Sequence, residues 1–224
     1  MSKTRLIFSK SGKAKYISHL DLMATMRRSL LRAGINLEYS EGFNPHPYMS
    51  VALPLPVGCS SICELIDIGI AGETTLRNCL DLINDKLPEG LEITEAYVPL
   101  RKFSGIAWIM IEGCLHYDNG APINAVEELA ECFSKKSIII SKKTKRGISE
   151  LDITPLVKEV CFNNNYRQAD KEIITVSAKI SAQNPSINPE NLMCAIKDGN
   201  EALIPDFYDF TRMEVLDKDM IIFR

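Results

Sequence analysis

Between residues 18 and 34 the apolar positions Leu22, Met23, Met26, Leu30 and Ala33 recur at three- and four-residue steps, a spacing that lays them along one face of a helix. Ser18 stands three residues before Asp21, so that a hydroxyl and a carboxylate can satisfy the free amides of a helix start, and Gly34 supplies a flexible stop. The pattern predicts a helix over 19–33. Ahead of it, 5–8 reads as a strand extending toward residue 17; behind it, 36–39 and 64–70 read as strands. A second stripe of Leu76, Cys79, Leu80, Ile83 and Leu87 predicts a helix over 73–87, ended by Pro88-Glu89-Gly90, and a strand over 91–98 follows. The order βαββαβ is that of a ferredoxin-like sandwich, an antiparallel sheet with two helices on one side.

The second half repeats the idea. A strand over 107–115 precedes a helix after Pro122, in which Val126, Leu129, Ala130 and Phe133 share a face. A strand over 137–141, a charged turn over 142–147 and extended segments over 151–162 and 172–180 come next. Asn188-Pro189 opens a last helix closed at Gly199, and a terminal strand falls at 213–216 or 220–223. The reading is therefore α+β, as two tandem ferredoxin-like sandwiches over 1–100 and 105–224; one continuous α+β domain is the alternative.

The chain's 224 residues, 46% hydrophobic, suffice for ordinary cores. No apolar run approaches the roughly twenty residues that span a bilayer, and the first residues given lack the hydrophobic core and cleavage site expected of a signal peptide. Seven scattered cysteines fit reduced thiols better than a disulfide framework, which favours the cytoplasm. Cys79 reads as core. Cys59 and Cys63 have the first spacing of the CxxxCxxC that holds an iron–sulfur cluster, but the third position is Ile66. Neither CxxC pairs nor clustered histidines of a structural zinc site occur, and neither a Walker loop nor GxGxxG is found. No metal and no cofactor is expected.

Net charge is −3, but unevenly spread. Residues 1–35 carry eight cations against Asp21 alone, whereas residues 36–100 carry Arg77 and Lys86 against ten acids. A second basic cluster, Lys142, Lys143, Lys145 and Arg146, follows Lys135 and Lys136, and local clusters rather than net charge decide where polyanions settle. Asp21, Thr25, Arg28 and Arg32 share the polar face of the first helix, either a solvated exterior with cations suited to the helix dipole or a phosphate-facing stripe. In Ser40-Glu41-Gly42-Phe43-Asn44-Pro45-His46-Pro47, the prolines hold His46 in extended backbone, where an imidazole can bind phosphate, move a proton or merely cap carbonyls. His19, beside Met23, has packing as its simpler role. The candidate ligand-binding residues are thus Lys13, Lys15, Tyr16, His19, Arg28, Arg32, Asn44 and His46, with His46 the one catalytic candidate.

The run YISHLDLMATMRRSLLRAGINLEYSEGFNPHPYMSVALPLPVG, with ELIDIGI after it, closely resembles the radical-SAM-linked domain family of bacterial proteins. The resemblance covers the first hundred residues; beyond them only DITPLV and Arg212 match. It implies a domain of unestablished activity, found fused behind a radical S-adenosylmethionine protein or encoded separately beside one, and this chain looks like the separate form. Iron–sulfur chemistry would then belong to that partner.

Three functions follow as expectations. The first is a non-catalytic accessory module that binds substrate for a radical S-adenosylmethionine enzyme: RNA by its charge and fold, with Phe8, Tyr16 or Tyr39 presented from strands for base stacking, a protein or peptide substrate being equally compatible with the radical-enzyme link. The second is a metal-independent RNA endonuclease, from a weak similarity to the CRISPR-repeat RNA-processing proteins; there His46, or His19, would activate a ribose hydroxyl, although only Gly199 stands where those proteins carry a glycine-rich loop. The third is a purely structural module whose VALPLPVG segment packs on a partner.

Overall fold

A computed structural model describes residues 2–72, 79–144, 147–168 and 171–224. The fold is α+β, with antiparallel strands and, among the described residues, four α-helices. The chain divides into two compact units, Met1–Gly105 with Arg224, and Ile106–Phe223.

The first unit runs β1 (Ser2–Lys10), a 3-10 turn (Gly12–Tyr16), α1 (His19–Arg32), β2 (Met49–Val51), β3 (Ser60–Ile70), α2 (Leu80–Asn84) and β4 (Leu91–Tyr97). Its strands lie in the order β4-β1-β3-β2, all antiparallel, with Leu6 opposite Ile66 and Arg5 opposite Asp67. The helix start is capped as the sequence implied: Ser18 Oγ accepts from the Asp21 amide at 3.2 Å and donates to its carboxylate at 2.7 Å. Leu22, Met26 and Leu30 of α1 pack on Leu6, Phe8, Ile66, Ile68 and Ile70 of the sheet. Asn84 ties α2 to β4, accepting from the Ile93 amide at 2.8 Å and donating to its carbonyl at 2.9 Å.

Two expectations in this unit are corrected. The first strand stops at Lys10; Gly12 at φ +54° turns the chain, and Ala14 enters the core. Residues 36–39 form no strand, only isolated bridges from Leu37 to Ile70 and from Tyr39 to Pro47. Pro47, opposite Tyr39, has no amide to donate to a ladder, and Met49–Val51 takes the place beside β3 instead. Of the helix expected over 73–87, residues 73–78 lie outside the described residues, and the part seen as α-helix is Leu80–Asn84.

The second unit runs β5 (Trp108–Tyr117), α3 (Ala125–Phe133), β6 (Ile139–Thr144), β7 (Gly147–Asp152), β8 (Val157–Gln168), β9 (Lys171–Ser181), α4 (Pro189–Gly199) and β10 (Phe207–Leu216). Its main sheet has the order β10-β5-β9-β8, and β6 and β7 form a separate hairpin. The buried side of α3 is Ala125, Leu129 and Cys132, rotated from the expected stripe, with Ala130 exposed. The terminal strand starts at Phe207, earlier than expected, because it pairs along β5 from His116 to Trp108; residue Ile222 contributes one bridge to Leu216.

The DITPLV stretch has a structural explanation. Asp152 Oδ1 accepts from the Thr154 amide at 2.9 Å, the Thr154 hydroxyl at 2.7 Å and the Ile138 amide at 3.2 Å, while Oδ2 accepts from Ser137 at 3.0 Å. Led by the Thr154 hydroxyl, these donors hold the Asp152 carboxyl down at about 2. A depressed carboxyl stabilises the folded state above its unfolded value, near 4, and the contribution disappears as pH falls through about 2. An NMR titration should place the Asp152 carboxyl inflection near pH 2, and Thr154→Val should move it upward.

Candidate functional site

The loop after α1 closes on itself. The Ser40 amide donates to the His46 carbonyl at 2.8 Å, the His46 amide donates to Ser40 Oγ at 3.0 Å, and Tyr39 bridges Pro47. These contacts make a neck, and the tip beyond it holds Phe43 and Asn44 in solvent. The backbone of His46 closes the loop, while the residue itself is exposed. The following VALPLPVG run is fastened to the same unit, by the Ala52 amide on the Leu65 carbonyl and the Gly58 amide on the Lys15 carbonyl, both 2.9 Å.

Where the loop returns to the sheet, a cleft of about 330 Å³ opens, lined by Lys3, Tyr48, Ser50, Asp67, Lys102 and Phe103 among others. Two of the lining residues, Asp67 and Phe103, are held by Arg5, which has no exposed surface. Arg5 donates to both carboxylate oxygens of Asp67, at 2.6 and 3.0 Å, and to the Arg101 carbonyl at 2.9 Å; its guanidinium lies 4.2 Å from the centre of the Phe103 ring. The bidentate pair neutralises Asp67 and fixes Phe103 by stacking. Lys3 and Lys102, both exposed, line the cleft and have no ion-pair partner among the described residues, which makes the cleft electropositive. At Gly69 an added Cβ would stand 3.1 Å from Glu38 Oε2 and from Tyr48 Cβ, so a side chain there would press on Tyr48. Tyr48 also borders a more open hollow with Glu38 and Glu41, whose charges leave the lysine side as the approach for an anion.

The structure separates the sequence-based candidates. Arg28 and His19 are exposed on α1, so His19 is not the packed residue expected, because as the first helical residue it projects from the end rather than onto the core. Arg32 binds the Ser29 hydroxyl at 3.3 Å and the Lys86 carbonyl at 3.2 Å, fastening α1 to the end of the next helix. Lys13 is exposed in the 3-10 turn, and Lys15 lies 5.3 Å from the centre of the Tyr16 ring, itself 62% exposed. The +7 tract is less cationic at the surface than on paper, since Arg5 and Lys10 are buried, Lys10 against the Ile17 carbonyl. Phe8 is core, facing the helices, and is not available for stacking. Of the second basic cluster, Lys142 and Lys143 lie in β6, in the other unit, and Lys145 and Arg146 lie outside the described residues.

Sequence reading missed the cleft, because Lys3, Tyr48 and Lys102 are remote in the chain and Phe103 carries no motif. It also missed Cys114, His116 and Asp209, whose donor atoms lie within 4.8 Å of one another. The signal was present as Cys-x-His in a strand, where alternation puts both on one face. Burial, with help from Asp209 and Glu112, pushes the Cys114 thiol up, the opposite of what a nucleophile needs.

The model of a family described as an uncharacterized protein conserved in bacteria (DUF2344) matches residues 3–189. The chain belongs to this family. The DUF2344 match covers the cleft, the proline loop and DITPLV alike. No curated protein matches the chain. Among solved structures, an unknown protein from Galdieria sulphuraria is similar over 96% of this chain and 98% of its own, at 9% identity and a TM-score of 0.27. A putative glycine cleavage system transcriptional repressor is similar over 94% and 98%, at 11% identity and a TM-score of 0.25. At such scores the likeness bears on neither fold nor activity. Among the described residues of this DUF2344 chain no helix is long and apolar enough to cross a membrane.

Proposed function

We propose that this protein is a non-catalytic accessory module that binds single-stranded RNA as substrate for a radical S-adenosylmethionine enzyme, each unit being a ferredoxin-like sandwich and the second carrying an inserted hairpin. The observation that carries the reading is the cleft that Tyr48 and Phe103 line together with Lys3 and Lys102. Single strands are held where bases stack on aromatic faces while cations follow the phosphates, and the Arg5 guanidinium under Phe103 makes that ring a fixed platform. The partner class rests on the resemblance of residues 16–58 to the radical-SAM-linked domains. The exposed Phe43 tip, outside the cleft, suits contact with that partner.

Binding of a labelled single-stranded RNA across a salt series tests the proposal. The wild-type chain should bind with an affinity that falls with salt, and Lys3→Glu with Lys102→Glu should weaken binding and reduce the log–log salt slope by about 1.4, the share of two phosphate contacts. Tyr48→Ala should cost about 1–3 kcal/mol of binding. Absence of RNA binding, or unchanged affinity and slope in the double variant, would remove the RNA reading.

A further inference from the structure

In β5 the alternation of the strand buries Ile109, Ile111, Gly113, Leu115 and Tyr117 and turns Glu112, Cys114 and His116 to the other side of the sheet. The register of β10 brings Asp209 directly opposite Cys114 and Phe207 opposite His116. His116 Nε2 lies 3.1 Å from Asp209 Oδ2, and the Phe207 ring packs 5.4 Å from the imidazole, limiting its rotation. All three donor atoms, one sulfur, one nitrogen and one oxygen, fall within a 4.8 Å span, and all three residues are half-buried. Two donors bound at about 2.05 Å to a tetrahedral ion stand roughly 3.3 Å apart, close to the separation that His116 and Asp209 already hold.

We propose that Cys114, His116 and Asp209 form a binding site for a divalent transition ion, Zn²⁺ by its chemistry, with a fourth position left to water. Thiolate with imidazole selects zinc-like ions over Mg²⁺ or Ca²⁺, and three protein ligands with one open position is the arrangement of a zinc ion that can take up a further ligand. On binding, the Cys114 sulfur bonds the ion and its proton passes to solvent. The strands supply the preorganisation: two ligands come from one strand at a two-residue step and the third from its hydrogen-bonded neighbour.

Cobalt is the probe. Titration of the full chain with Co²⁺ should give one equivalent with strong visible absorption of a tetrahedral site and a thiolate-to-cobalt charge-transfer band, both displaced by Zn²⁺. Cys114→Ser should abolish the charge-transfer band, and Asp209→Asn and His116→Gln should each weaken binding at least about tenfold. Cys161→Ser, at an exposed cysteine remote in sequence, should retain the wild-type spectrum. Circular dichroism of each variant separates loss of the site from loss of the fold, and any one ligand variant that folds suffices. A charge-transfer band that survives Cys114→Ser, a weak octahedral spectrum, or no cobalt binding by the wild-type chain would overturn the proposal.

Discussion

Asp67→Ala should cost about 3–5 kcal/mol of folding stability, read as a lowered urea midpoint in far-ultraviolet circular dichroism, because it leaves the Arg5 guanidinium charged and fully buried without its carboxylate. Taking one partner from a buried ion pair costs far more than exchanging both for apolar groups, since the remaining charge has lost its water and no longer has its counter-charge. Arg5→Met combined with Asp67→Ala should therefore recover most of the loss. The single variant should also loosen Phe103, whose ring rests on Arg5, so RNA affinity should fall in the folded fraction. In the double variant stability returns while the Phe103 platform does not, and affinity should stay low. That split would show the pair acting on the cleft as well as on the fold.

The same pair marks how far sequence reading reaches. Local rules located α1 and its cap, because Ser18, Asp21 and the spacing of Leu22, Met26 and Leu30 are all contained in fifteen residues. They located the core strands for the same reason. They could not assign Arg5, which counts as one of eight amino-terminal cations until the β1–β3 register sets it beside Asp67, sixty-two residues away. Lys10 was hidden likewise. The proline loop was legible as a rigid excursion, but the cleft beside it needs Lys3 from the first strand and Lys102 with Phe103 from the end of the unit. Cys114 and His116 form a local pattern; only Asp209, brought across by β10, turns it into a ligand set. For Arg5 and for Asp209 the missing term was strand pairing over long sequence separation, where the side-chain period of two decides which residues share a face.

Phe8→Ala should likewise cost about 3–5 kcal/mol, since the ring has no exposed surface and sits in the layer of Leu6, Met26, Leu30 and Ile66 between sheet and helix. Truncation leaves a cavity in a region held by β1 pairing with both β3 and β4, which restrains collapse around it. Phe8→Leu keeps most of the volume and should cost less than half as much. Neither change should alter RNA affinity per folded molecule, since the ring faces the helices and the cleft residues Lys3 and Asp67 occupy the other side of the sheet. A strand aromatic used as a stacking platform predicts the reverse order: affinity falling at unchanged stability. Unfolding and RNA titration of the two variants together therefore decide which role Phe8 has, and intact stability in Phe8→Ala would contradict the packing described here.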